Sequence, residues 1–174
     1  MENVIINPGN RFGSEAKKRA YEGGSCVRCG ETRDAIYVLC ASCRARASAQ
    51  KKLTKKTRVA SGLCLWCAKP SLPNSQKCRD CFFYNLANVT LKNVKLSQPI
   101  AFLFAEQGER CVYTDEILIL GVNASIDHKL PQCRGGQHVI ENLQWVSKRI
   151  NGNKYNLTHE EFVTECASIA AKFR

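Results

Sequence analysis

Acidic residues are nearly missing from the middle of this chain. Between Arg44 and Ala105 there is one, Asp80, against twelve lysines and arginines. Long apolar runs are missing altogether. No stretch approaches the ~18 consecutive apolar residues of a membrane span, and the opening MENVIINPGNRFGSEAKKRA holds no apolar leader. Membrane-spanning and exported classes are set aside on that basis, and an intracellular, cytoplasmic protein is expected. Histidine is scarce as well, with three in 174 residues, so any chemistry that needs an imidazole has few places to sit.

Cysteine, by contrast, is abundant, with eleven residues, eight of them in two blocks. Cys26-Val-Arg-Cys29 leads to Cys40-Ala-Ser-Cys43, and Cys64-Leu-Trp-Cys67 leads to Cys78-Arg-Asp-Cys81. Each block reads C-x2-C-x10-C-x2-C, and the second repeats the first 38 residues later. A CxxC turn sets two thiolates on one side of a bend, and two such turns complete a tetrahedron around zinc. In a reducing compartment this pattern means metal rather than disulfide. A redox CxxC normally stands alone near a βαβ unit, which is not the case here. Zinc also explains how modules of roughly 35 residues could fold, since pieces that small need a staple. Two structural zinc ions are therefore expected, the first on Cys26, Cys29, Cys40 and Cys43, the second on Cys64, Cys67, Cys78 and Cys81. Cys111, Cys133 and Cys166 are read as free, partly buried thiols.

The formal charge is +11, and two zinc ions held by eight thiolates lower it only to about +7. The excess is concentrated between and just after the zinc blocks. Residues 44–58 alone carry Arg44, Arg46, Lys51, Lys52, Lys55, Lys56 and Arg58 with no acid. A basic run joining two zinc modules points to nucleic-acid phosphate. An anionic membrane is disfavoured, because the run lacks an aromatic or leucine-rich opposite face.

The chain divides into a polar arm (1–24), a first zinc module with a basic tail (25–58), a second zinc module (59–96) and a C-terminal domain (97–174). Short helices are expected from Ser14 to Tyr21 and from Pro99 to Gly108. Glu116–Leu120, the turn at Gly121 and Val122–Asp127 read as a β-hairpin. Asn142 to Lys154, with Leu143, Val146 and Ile150 three and four apart, reads as a helix. Thr158-His-Glu-Glu161 is a capping box opening a last helix. Its stripe of Phe162, Val163, Cys166, Ile169, Ala170 and Phe173 is expected to pack over the core. The class is α+β: small irregular zinc-bound modules followed by a compact domain.

Chemistry concentrates in Ser125–Lys154, SIDHKLPQCRGGQHVIENLQWVSKRINGNK. Asp127 and His128 end the expected hairpin, and Asn142 and Asn151 follow on the expected helix. Carboxylate and amide oxygens are hard ligands, suited to Mg²⁺ or Mn²⁺ rather than to another zinc. His138 reads as an exposed loop residue and His159 as solvent-facing.

This segment resembles the HNH endonucleases, whose ββα-metal motif runs roughly D-H-x-x-P, then G-G, N-L and a helical N-x-x-K. Asp127-His128, Pro131, Gly135-Gly136, Asn142-Leu143, Asn151 and Lys154 fall on those places, and Cys111-Val-Tyr-Thr114 looks like the knuckle that often opens the motif. The resemblance covers about residues 100–170. It implies a ββα-metal nuclease domain, with His128 as general base and Asp127 and Asn151 as ligands of one catalytic Mg²⁺ (or Mn²⁺). Asn142 resembles the family's loop-bracing asparagine, and 5′-phosphate and 3′-hydroxyl ends are the implied products. Many relatives hold a further zinc on two flanking CxxC pairs; here those positions read Cys111-x-x-Thr114 and Ser147-x-x-Ile150. No third zinc is expected, with packing around Trp145, Val146 and Ile150 in its place.

The expected activity is site-selective cleavage of double-stranded DNA, of the restriction, homing or phage packaging kind. Arg28, Arg44, Arg46, Lys51, Lys52, Lys55, Lys56, Arg58, Arg79, Arg134 and Lys154 are the candidate DNA contacts. A homodimer is implied if both strands are cut, a monomer if one is nicked. The competing expectations are a zinc-dependent nucleic-acid-binding protein with a silent nuclease segment, and an RNA-directed nuclease.

Overall fold

A computed structural model describes residues 15–34 and 36–173. Most of the polar arm, including Ser14, lies outside the described residues. The chain forms two compact units, Met1–Thr57 and Arg58–Arg174. It is a mixed α+β protein with two four-cysteine clusters. Among the described residues no helix is long and apolar enough to cross a membrane.

One backbone unit recurs three times. Helices α1 (Glu15–Glu22), α2 (Ala41–Ala60) and α4 (Ser97–Glu106) are each followed by a glycine in the left-handed region: Gly24 (φ 73°), Gly62 (φ 67°) and Gly108 (φ 63°). The next N–H reaches back five residues each time, from Ser25 to Ala20 O (2.8 Å), Leu63 to Arg58 O (2.8 Å) and Glu109 to Phe104 O (3.0 Å). These bonds satisfy carbonyls that have no further helical turn to pair with.

A knuckle follows in all three. The N–H groups of Cys26, Cys64 and Cys111 donate to Glu31 O, Lys69 O and Glu116 O at 2.7, 2.7 and 2.9 Å. The carbonyls of the same cysteines accept from Gly30, Ala68 and Asp115, all with positive φ (79°, 61° and 57°). Cys111-Val-Tyr-Thr114 therefore has the backbone of a metal-binding knuckle with one thiol left.

The second half of the unit is also shared. Val27, Leu65 and Val112 donate their N–H to Val38 O, Gln76 O and Trp145 O (3.3, 2.9 and 3.2 Å). Two residues after each of those acceptors stand Cys40, Cys78 and Ser147, which open α2, α3 (Arg79–Asn85) and α5 (Lys148–Lys154). Ten residues join the halves in the first two copies, but thirty-two separate Thr114 from Ser147. That longer excursion carries the sheet: β1 (Ala124–His128) antiparallel to β2 (Leu143–Ser147), in register Ala124 with Ser147 through His128 with Leu143.

The expected hairpin is thus displaced. Glu116–Leu120 is not a strand; Leu118 and Leu120 are buried, and Ile117 forms a single bridge with Arg110. The Asn123 side chain curls the segment by binding Ile119 N–H (2.6 Å) and Ile117 O (2.9 Å). The helix expected from Asn142 begins only at Lys148, where the Ser147 hydroxyl accepts from Ile150 N–H (3.4 Å). Leu143–Ser147 is a strand buried throughout, so it lacks the alternation that marks a half-exposed one.

The core of the second unit ignores the boundary expected at residues 96–97. Phe83, two residues past the last zinc-module cysteine, lies 6.1 Å from Phe104 and 5.9 Å from Trp145, ring to ring. Trp145 is fully buried, stacks edge-on against Phe104 at 4.9 Å and donates its indole N–H to Ile100 O (2.9 Å). Val146 and Ile150 are buried beside it, in the place where the missing third cluster would be. Helix α6 (His159–Lys172) opens with the expected capping box. It does not pack along its length, since Phe162 is buried while Val163, Cys166, Ile169 and Phe173 are exposed.

Candidate metal centres and catalytic pocket

In each cysteine cluster the four sulfur atoms lie within 4.8 Å of one another. Cys29 and Cys40 are 3.5 Å apart, Cys67 and Cys78 3.4 Å, and Cys67 and Cys81 3.6 Å, with every cysteine a free thiol. A tetrahedron with Zn–S bonds of about 2.3 Å has edges of about 3.8 Å, so the donors fit a zinc ion with little movement. Burial raises the Cys26 thiol, but the backbone N–H groups of Cys40, Arg28 and Cys29 outweigh it and bring it down to about 6. Cys64 falls to about 6 in the same way, against burial, through the N–H groups of Cys78, Cys67 and Trp66. For Cys29 the Glu31 N–H pulls down, yet burial and the neighbouring thiols push it up to about 12.

Among the described residues Cys111 belongs to no such cluster. Burial would raise its thiol, but the Thr114 hydroxyl and the N–H groups of Ser147, Tyr113 and Thr114 hold it below the ordinary value. Thr114 and Ser147 stand where the other two knuckles have cysteines.

The strand–loop–strand–helix from β1 to α5 builds a cavity of about 420 Å³. Asp127, His128 and Asn151 all line it, with Pro131, Cys133 and Tyr155. Asn142 closes the neck of the loop, accepting Leu130 N–H (2.8 Å) and donating to Leu130 O (3.1 Å) and Gln137 O (3.0 Å). Gly136 is needed in the same place, because a Cβ there would sit 1.8 Å from the Leu130 carbonyl oxygen.

His128 is half-buried at the tip of β1. Its Nε2 lies 3.0 Å from His138 Nδ1 and 3.4 Å from Gln132 Nε2. An amide nitrogen can only donate, so in this arrangement His128 Nε2 is an acceptor with a lone pair. Burial, then His138, and last Lys154 hold the imidazole below its ordinary 6.5 against the pull of Asp127. It is neutral at pH 7. His138 is therefore not the exposed loop residue expected from the sequence, in which nothing signals its partner.

Beneath the cavity runs a buried polar chain. Lys154 is fully buried and donates to His128 O (2.7 Å), with its ammonium 3.3 Å from both Asp127 oxygens. Gln144 Nε2 donates to Asp127 Oδ2 (2.7 Å) and to the Tyr113 hydroxyl (2.8 Å), which lies 2.9 Å from His159 Nδ1. Burial above all, with the Asp127 charge, pushes the Tyr113 phenol up to about 12 against the Gln144 hydrogen bond. Two expectations are corrected here. Lys154 is not a phosphate contact, because its ammonium faces inward, and His159 is not solvent-facing but stacks on Tyr113 at 5.3 Å. Gln144 was missed. Its signal was present: one amide in the apolar run Leu143–Ser147 needs a buried partner.

Asn151 spends its amide N–H groups on Ser125 Oγ (2.9 Å) and Ile126 O (3.3 Å), leaving Oδ1 without a donor among the described residues. One carboxylate and one open amide oxygen on a shared cavity fit a hard divalent cation that keeps most of its shell as water.

The candidate DNA contacts fall into two groups. Lys51, Lys52, Lys55 and Lys56 are exposed on α2, and Arg28 is exposed on the first knuckle; none enters an ion pair with a described residue. The others are engaged. Arg44 pairs with Asp34 (3.0 Å), Arg46 donates to Cys43 Sγ (3.3 Å), and Arg58 donates to Leu65 O and Trp66 O (both 3.3 Å). Arg79 pairs with Glu109 (3.0 Å) and Arg134 with Glu161.

The chain matches no family model, no curated protein and no solved structure.

Protein purified without added metal is expected to carry two zinc ions per chain by elemental analysis; none, or three, would contradict the ligand assignment. Lys154→Met should destabilise the second unit by about 3–5 kcal/mol in chemical denaturation, because it strands a buried carboxylate. The double variant with Asp127→Asn should recover part of that loss.

Proposed function

We propose that this chain is a Mg²⁺-dependent endonuclease of the HNH (ββα-metal) type that hydrolyses double-stranded DNA, with the zinc modules and α2 as its grip. One observation carries the reading: β1, β2 and α5 bring His128, Asp127 and Asn151 to one cavity whose loop is clasped by Asn142. A neutral imidazole beside one carboxylate and one open amide oxygen is the minimum set for phosphodiester hydrolysis by a base and a single hard cation.

Asp127 and Asn151 would hold Mg²⁺ or Mn²⁺, and that ion would supply the charge stabilisation on the phosphoryl and departing oxygens. The remaining work belongs to the chain. His128 takes a proton from the attacking water at Nε2 once the water displaces the Gln132 and His138 contacts there, as a base that is uncharged at neutral pH. Asn142 holds the loop that flanks the imidazole. Lys154 keeps the Asp127 carboxylate in place from behind and fixes the His128 carbonyl, so the base and the ion's ligand move as one body. The lysines of α2 neutralise phosphates away from the cut.

His128→Ala should lower single-turnover cleavage of plasmid DNA by about 10²–10⁴-fold with DNA affinity nearly unchanged. A variant that cuts like the parent would reject the assignment of the base. Duplex affinity should fall with salt, and each α2 lysine changed to alanine should flatten the log–log slope by about 0.9. A slope indifferent to all four lysines would remove α2 from the interface.

A further inference from the structure

The two zinc modules share a backbone but not a surface. Positions two residues past the first cysteine and three past the last are equivalent in both, 38 residues apart. In the first module these positions are Arg28 and Arg46; in the second they are Trp66 and Tyr84. Trp66 and Tyr84 stand 41% and 49% exposed, ring centroids 6.4 Å apart and edge-on at 89°. Burying such rings normally stabilises a fold, yet these are left open on a module rigid enough to hold them still. Two cations lie near Trp66. Lys77 Nζ lies 5.5 Å from the centre of the Trp66 ring, and Arg58 holds the Leu65 and Trp66 carbonyls at the base of the knuckle.

We propose that Trp66 and Tyr84 form a stacking site for an unpaired nucleobase, with Lys77 placed for the adjoining phosphate. Every base has a π-face, so an open aromatic accepts any of them, and a cation alongside meets the backbone that comes with it. Within an intact duplex the base faces are occupied by their neighbours, and such a site gains nothing from it. The second module therefore selects nucleic acid carrying an unpaired nucleotide, such as a bulge, a nick flap or a single strand. The first module has arginines at the same two positions and lacks the pair of rings. This rests on the nucleic-acid reading above and narrows its substrate.

The test uses the full, zinc-loaded chain without Mg²⁺. Its probes are a fluorescent perfect duplex, the same duplex with one bulged thymine, the bulged strand alone, and a ribose copy of that strand. The bulged duplex and the single strands are expected to bind more tightly than the perfect duplex and to quench tryptophan emission. That signal belongs to Trp66, since Trp145 is fully buried. Trp66→Ala and Tyr84→Ala should each weaken binding to the bulged duplex by roughly 5- to 100-fold and leave the perfect duplex nearly untouched. Trp66→Phe should retain the preference. If an alanine variant loses its zinc, Trp66→Phe and quenching in the parent chain decide the matter. Equal affinity for bulged and perfect duplex, without quenching, overturns the stacking site and leaves the nucleic-acid reading standing. No binding to any probe sinks both. Emission that changes with protein concentration but not with oligonucleotide would give the face to a second copy of the chain and overturn the proposal.

Discussion

The C-terminal unit is organised around one buried ion pair. Lys154, on the last turn of α5, meets Asp127 on β1 with no solvent between them, and the same ammonium caps the His128 carbonyl. Two charges out of water are tolerated only when their remaining hydrogen-bonding capacity is filled. Gln144 takes up part of it from β2, and Tyr113 passes the chain on to His159 at the start of α6. Knuckle, both strands and two helices are thus tied at one polar point, directly under the imidazole. An apolar plug could have filled the same volume, but it would not have fixed the angle at which His128 leaves the strand.

The unit of construction is a helix, a left-handed stop and a knuckle. The first two copies close on cysteine clusters. The third has the same backbone bonds around Cys111, but Thr114, Ser147 and Ile150 stand where thiols would be. Trp145, Val146 and Ile150 are buried there instead, with Ser147 retained as a helix cap. The longer connection between the halves of this third copy carries the strand pair with Asp127 and His128, and Asn151 follows on α5.

The cysteine clusters, the helix stop at Gly108, the capping box at Thr158 and the grouping of Asp127, His128 and Asn151 were all legible in the sequence. They are local signals, or a spacing that only a turn can satisfy. The strand pairing was not. Glu116–Leu120 and Leu143–Ser147 each hold two strong β-formers, but a strand needs a partner, and Asn123 curls the first while the second lies between β1 and the core. The inward turn of Lys154 was equally hidden, because its partner is 27 residues away and a lysine near a cavity reads as a phosphate contact. Exposed aromatics in a zinc module gave no sequence signal either, since Trp66 and Tyr84 are apolar letters that would ordinarily be assigned to a core.

Phe83 makes the two cysteine clusters unequal. It follows Cys81 by two residues on α3 and presses against Phe104 and Trp145, so the second cluster anchors a pillar of the hydrophobic interior. Among the described residues, the hydrophobic packing against the first cluster is Leu39 alone. A chelator stripping both would unravel one as a local event, while loosening the other would be felt at the indole ring next to β2 and, through that strand, at the floor of the cavity.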